Sequence, residues 1–234
     1  MRLHHWRKVA FDPVAWQLSR RRIDSLLSHE DVDSAVRATE RYVGRGFYDS
    51  IRSVQVDSEI RSLAELVQQA RPEVIVEIGT YKGGTLFIWC RTNPQAKLIV
   101  SIDLPCGMYG GGYDPRRRKL YRRFVADRRE TRMELMQCDS HAASTLARLR
   151  EALGDSPIDF LYIDGDHTYE GVKQDFEMYS PLVRHGGIVA FHDTATLTRQ
   201  CGVHRLWDEL RSAFEHKDLT APSSNKGIGV VFQR

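Results

Sequence analysis

Residues 74–85, Val74-Ile75-Val76-Glu77-Ile78-Gly79-Thr80-Tyr81-Lys82-Gly83-Gly84-Thr85, decide the reading of the fold. Val74, Ile75, Val76 and Ile78 form a nearly continuous apolar run, as in a short strand buried on both faces of a parallel sheet. Glu77 interrupts the run, glycines at 79, 83 and 84 end it, and Leu86, Phe87, Trp89 and Cys90 continue as an apolar helix. A strand that passes through glycines into a helix presents free backbone N–H groups at a helix N-terminus, a ready site for the polar part of a nucleotide-like ligand. The dinucleotide fingerprint G-x-G-x-x-G would place its second glycine where Tyr81 stands, so a pyrophosphate ligand is disfavoured.

The 234 residues suit one sizeable α/β domain with an elaborated end. A net charge of +3 is small for this length and does not by itself argue for nucleic acid. Cys90, Cys106, Cys138 and Cys201 show no C-x-x-C pairing or zinc spacing, and read as reduced structural thiols of a cytoplasmic protein. The basic start, MRLHHWRKVAFDPVAW, has no apolar h-region, and no apolar run approaches a membrane span.

Residues 1–56 read as an N-terminal helical appendage, and residues 57–234 as the main domain. One helical pattern in the appendage rests on Val14, Leu18, Leu26 and Leu27, a second on Val32, Val36 and Val43. The cluster Arg20-Arg21-Arg22 reads as a solvated face. The appendage covers the active-site end of the domain or mediates dimerisation; its sequence does not decide between these. Asp57 and Ser58 are candidate caps for a helix with Ile60, Leu63, Ala64 and Val67 on its apolar face. Residues 98–103 read as a second buried strand ending in Asp103, 24 residues after Gly79. That is close to the spacing of ~20 at which a strand-tip carboxylate accepts both hydroxyls of a ribose diol. A glycine loop follows (Gly107, Gly110, Gly111, Gly112), a natural lid. Nine of the seventeen residues from Arg116 to Arg132 are Arg or Lys, a solvated helix face or a holder of an anionic acceptor. Residues 133–138 form a third strand. Asp139 and Ser140 then cap the next helix and sit where an adenine amino group would bind in a nucleotide-like site.

Residues 158–163 read as a fourth buried strand that runs into Asp164-Gly165-Asp166-His167. The following helix carries Tyr169, Val172, Phe176 and Tyr179 and ends at Gly186-Gly187, and a fifth strand over 188–191 delivers His192-Asp193. If the two strands are parallel neighbours, ~5 Å apart, Asp164, His192 and Asp193 converge at the end of the sheet where ligands bind. Three ionisable groups there suggest a divalent metal. A final helix (Val203, Leu206, Trp207, Leu210, Phe214) and a strand over 227–232 complete the chain.

The order E-x-G-x-x-x-G, strand-end Asp, D-S, then YIDGDHTYEGVKQDFEMYSPLVRHGGIVAFHD resembles the class I S-adenosylmethionine-dependent methyltransferases. Within them it looks most like the branch of the macrolide-sugar O-methyltransferases and cephalosporin-hydroxylase-like proteins. The similarity covers roughly residues 57–210. It implies a Rossmann-like methyltransferase fold: an α/β, doubly wound, mostly parallel seven-stranded sheet with a last antiparallel strand. It implies S-adenosylmethionine held by Glu77, Gly79, Thr80, Tyr81, Gly83, Asp103, Asp139 and Ser140. It also implies a metal held by Asp164, His192 and Asp193, with His167 as catalytic base beside Asp164. The chain departs from the branch at His192, where an acid is expected. Imidazole suits softer metals than magnesium. The metal is then a transition ion, or is held by Asp164 and Asp193 alone, or His192 is a second acid/base.

The function implied is methyl transfer to a hydroxyl of a sugar or other small natural-product intermediate, assisted by a divalent metal. The acceptor is a small hydroxylated molecule, and the arginine run admits an anionic one. No nucleic-acid partner and no membrane span are expected; N-methylation and homo-oligomerisation stay open. The rival readings are a nicotinamide-dependent oxidoreductase and a catalytically inactive methyltransferase-like scaffold. Tyr81 and the lack of a Tyr-x-x-x-Lys pair near the site count against the oxidoreductase.

Overall fold

A computed structural model describes residue 9, residues 11–105 and residues 111–234. Cys106, and Gly107 and Gly110 of the expected lid, lie outside the described residues. Helices α1 (Asp12–Asp24), α2 (Val32–Arg41) and α3 (Asp57–Ala70) lead into β1 (Val74–Ile78) and α4 (Gly84–Thr92). Then come β2 (Leu98–Asp103), the short α5 (Arg118–Tyr121), β3 (Arg132–Gln137), α6 (Ala143–Leu153), β4 (Ile158–Ile163) and α7 (Tyr169–Tyr179). The chain closes with β5 (Val183–His192), α8 (Val203–Ala213), β6 (His216–Asp218) and β7 (Ile228–Phe232). The seven strands form one sheet in the order β3-β2-β1-β4-β5-β7-β6. Strands β1 to β5 pair in parallel, and β7 is antiparallel to both β5 and β6. The expected doubly wound, mostly parallel sheet is therefore present.

The sheet is covered on both faces, which is why its strands read as unbroken apolar runs. Ile75, Ile99, Phe160 and Tyr162 face one core, shared with α3, α4 and the first two helices through Ile23, Val32 and Val36. Their neighbours Val76, Val100, Leu161 and Ile163 face the other, against α6, α7 and α8. No described helix is long and apolar enough to cross a membrane.

Several local expectations are corrected. On α1 the buried face is Ala15, Ser19 and Ile23, while Val14 and Leu18 are exposed. Small residues face inward because the 44–48 turn packs closely there, with the Arg45 N–H donating to Ser19 Oγ at 2.8 Å. Val43 lies beyond α2 and is exposed. Helix α3 starts on Asp57 with Val56 as its N-cap, and the Asp57 carboxylate accepts from Arg61 instead. Helix α6 starts later than Asp139-Ser140, with Ala142 at its cap. Helix α7 ends at Tyr179, and Gly186-Gly187 fall inside β5, where Gly186 at φ +69° makes an irregularity before pairing with β4 resumes at Ile188.

Much of the basic run holds the N-terminal helices in place. Arg123 bonds Asp24 at 2.8 Å, Lys119 bonds Asp12 at 3.0 Å, and Arg128 bonds Glu30 at 3.1 Å. Arg117, buried, donates to the carbonyls of Phe47, Ser50 and Lys82, to Asp49, and to the Tyr121 hydroxyl. It thus staples the 47–50 segment to the glycine turn after β1. Removing it leaves partly buried carbonyls unpaired. Arg117→Met is expected to cost about 3 kcal/mol of stability, read as a lower urea midpoint, whereas Arg122→Met on the exposed side shifts it by no more than about 0.5 kcal/mol.

Candidate active site

The turn after β1 adopts backbone angles that require its sequence. Gly79 has φ +90° and Gly83 φ +75°, and a Cβ on Gly79 would collide with the Asp164 carbonyl. Tyr81 also has positive φ, at +46°. Asp103 at the tip of β2 holds this turn: its Oδ2 accepts from the Thr80 and Tyr81 N–H groups at 3.0 and 2.7 Å, and its Oδ1 from the Leu104 N–H at 2.8 Å. Burial pushes the Asp103 carboxyl above its ordinary value, and these N–H groups partly offset the shift. The Thr80 hydroxyl bonds that of Ser101 beneath the turn. Asp139 and Ser140 follow β3, so these groups line the carboxyl ends of the adjacent strands β1, β2 and β3.

Glu77 does not reach this surface. It is fully buried and accepts the Trp89 indole N–H at 2.8 Å, tying β1 to α4. Burial pushes its carboxyl up to about 8, against the lowering effect of Thr85 and Trp89.

The second cluster gathers at the ends of β4 and β5, which are neighbours. His167 places Nε2 3.4 Å from Asp164 Oδ1 and Nδ1 3.4 Å from Asp193 Oδ2. His192 Nδ1 lies 3.1 Å from Asp164 Oδ1 and 3.6 Å from Asp193 Oδ2. Asp193 reaches inward from a left-handed backbone, φ +63°. Burial alone would raise the Asp164 carboxyl, but the imidazoles of His192 and His167 hold it well below the usual carboxylate range. His167 is raised by its bond to Asp164, with burial opposing. For His192 burial acts downward, and the charge of Asp164 outweighs it. The ligand atoms of Asp164, His167 and Asp193 all lie within 4.8 Å of one another, so His167 joins the two aspartates in the group geometrically able to hold a cation.

Three residues of this cluster carry no signal in the sequence. Gln55 Nε2 donates to Asp164 Oδ2 at 2.6 Å, and its own Oε1 accepts from the Val54 N–H at 3.1 Å, which sets the orientation of the amide. Thr196 donates to Asp193 Oδ1 at 2.6 Å, and Lys226 Nζ lies 3.3 Å from the same oxygen. Gln55 stands 109 residues before its partner, in a stretch without periodicity. An open depression of about 410 Å³ beside Glu73, Lys97, Arg132 and Asp159 lies at the opposite, amino-terminal edge of the sheet. Converging polar groups, not cavity volume, mark the candidate site.

The architecture is the Rossmann-like methyltransferase fold. Residues 76–194, a little over half of the chain, match the family described as a methyltransferase domain, and the chain belongs to that family. An uncharacterised protein, y4gI, of Sinorhizobium fredii is 29% identical over 175 residues, covering 71% of this chain. The chain spans only 18% of that relative's length. The crystal structure of an O-methyltransferase from Bacillus cereus in complex with SAH superposes with a TM-score of 0.54 at 17% identity, over 89% of this chain and 90% of that one. MycE methyltransferase from the mycinamycin biosynthetic pathway, in complex with Mg, SAH and mycinamycin VI, gives a TM-score of 0.50 at 20% identity, over 74% of this chain and 49% of that one.

The buried Glu77 has a testable consequence. Its unfolded value is about 4.3, so between there and about 8 the folded chain keeps a proton that the unfolded chain has released, and stability falls as pH rises. Glu77→Gln, which keeps the shape without the charge, is expected to melt above wild type at pH 8 and to lose that advantage at pH 4.5. An unchanged difference across this range in thermal melts would mean that Glu77 is ionised in the fold.

Proposed function

We propose that the chain is an S-adenosylmethionine-dependent O-methyltransferase that moves a methyl group to a hydroxyl of a sugar or other small natural-product intermediate. The observation that carries this reading is the placement of His167 between Asp164 and Asp193, directly beside the glycine turn of a methyltransferase fold. The residues present fit the cofactor. A carboxylate at the tip of β2, Asp103, is what a ribose diol requires, and Tyr81, where a pyrophosphate site would need glycine, is compatible with a cofactor that has no phosphate. The bound cofactor supplies an electrophilic methyl sulfonium.

The chain's own residues then bind, align and manage one proton. An alcohol is a weak nucleophile until its proton is removed. His167 is the group placed to take it, at the ring nitrogen that is freed when a ligand engages Asp164 or Asp193, while the carboxylate still facing the other nitrogen fixes the ring and stabilises the imidazolium that results. Alignment of the acceptor oxygen against the methyl group supplies the remaining advantage. A divalent metal would be held by Asp164 and Asp193 with His192 as third donor, which leaves His167 as the base, and would supply a Lewis acid for the acceptor oxygen. An imidazole in the donor set favours a transition ion over magnesium.

Titration with S-adenosylmethionine, with NAD as control, tests the class: binding of the first alone supports it, and binding of NAD alone overturns it. With labelled cofactor and a panel of hydroxylated acceptors, assayed with manganese, magnesium or chelator, His167→Ala is expected to reduce methyl transfer about 10²–10⁴-fold. Its affinity for S-adenosylmethionine stays within about twofold of wild type. Undiminished transfer in this variant would remove His167 as the base.

A further inference from the structure

Two bonds tie the loop after β3 to α7, the helix that leaves the acid–base turn. The Tyr179 hydroxyl donates to the Ser140 carbonyl at 2.6 Å. His141 Nε2 lies 3.1 Å from the Gly171 carbonyl and 3.3 Å from Asp175 Oδ1. Asp175 is fully buried, and neither of its oxygens has a hydrogen bond of ordinary geometry among the described residues. Its contact with His141 is an ion pair with loose hydrogen-bond geometry, and His141 is the one cation within 4.0 Å of it among the described residues. A carboxylate at that depth is strongly disfavoured unless its charge is compensated. Neither the acid–base cluster nor the glycine turn uses this pair.

Its position gives it a purpose. Asp175 lies beneath Gly165, the residue after Asp164, so that a Cβ there would stand 3.4 Å from Asp175 Oδ2. Gly171 packs against the Asp166 carboxylate. On the other side, His141 adjoins Asp139-Ser140, and its N–H donates to Asp139 Oδ1 at 2.9 Å. We propose that the His141–Asp175 ion pair is a positioning device that locks the Asp139-Ser140 strip, on the adenine side of the site, to α7. The strip is thereby held in fixed relation to the turn that carries Asp164 and His167. This rests on the cofactor reading above. It assigns His141 and Asp175 no contact with the reacting atoms; they act through the strip.

The bond to Asp175 pushes His141 up to about 9 against the effect of burial, so His141 is charged at neutral pH and the pair opens as it loses its proton. The titratable groups around it are Asp139 and Cys138 on its own loop, Asp175 and Tyr179 on α7, and Asp166 on the turn.

The test is calorimetric titration of the full chain with S-adenosylhomocysteine, using wild type, His141→Gln, Asp175→Asn and the double variant, each confirmed folded by circular dichroism. Each single variant is expected to bind about tenfold more weakly at pH 7.5, which corresponds to ~1.4 kcal/mol. The double variant should be no weaker than either single one, because the two side chains act as one unit. From pH 7.5 to 9.5 the wild-type affinity falls more steeply than that of His141→Gln. Wild-type affinity in His141→Gln, or the same pH slope in both, overturns the proposal. If Asp175→Asn does not fold, His141→Gln and its pH slope decide alone. Wild type that fails to bind S-adenosylhomocysteine at all overturns the cofactor reading, and this proposal with it.

Discussion

The contact between the backbone of Gly79 and the carbonyl of Asp164 is the constraint on which the site depends. Strands β1 and β4 pair in parallel with Ile78 beside Ile163, and the Asp164 N–H donates to the Ile78 carbonyl at 2.8 Å. One residue past each strand, the two turns touch. A side chain at position 79 would separate them and, with them, the glycine turn from the acid–base cluster. The same residue needs φ +90°, which glycine alone adopts without strain. A single missing Cβ therefore sets the distance between the proposed cofactor position and the base.

Charge balance is the second organising constraint. The two carboxylates at the ends of β4 and β5 are largely buried, and donors surround them: two imidazoles, the Gln55 amide, the Thr196 hydroxyl and the Lys226 ammonium. In a low-dielectric site such a set is stable only when each charge is compensated. As found, both ring nitrogens of His167 face a carboxylate, which favours its protonated form. Any ligand that engages Asp164 or Asp193 alters that balance, so occupancy of the cluster and the basicity of His167 are linked.

Among residues 11–56, the N-terminal helices are joined closely to the sheet. They share the core of one sheet face, and buried Arg117 ties the following segment to the glycine turn. Gln55 then brings that segment to Asp164. The arginine run, legible in the sequence only as a concentration of positive charge, is in large part the set of bonds that makes this attachment.

By itself the sequence determined the sheet and the two turns. Residues 74–78, 98–103 and 158–163 are apolar enough to be buried on both faces, and the strands fall at those bounds. The glycines after β1 and the polar residues after β4 and β5 mark where backbone pairing must stop. Only the tertiary structure decided which side of each helix is buried, since small residues on α1 pack closely while Val14 and Leu18 stay in solvent. It also decided that Glu77 serves the core through Trp89, that His167 joins Asp164 and Asp193, and that Gln55 and Lys226 enter the cluster. The reason is physical. Strand burial and turn chemistry are local properties with a short period, legible within a few residues. Pairings such as Gln55 with Asp164 cross 109 residues and arise only when the packed sheet brings the two ends of its connections together.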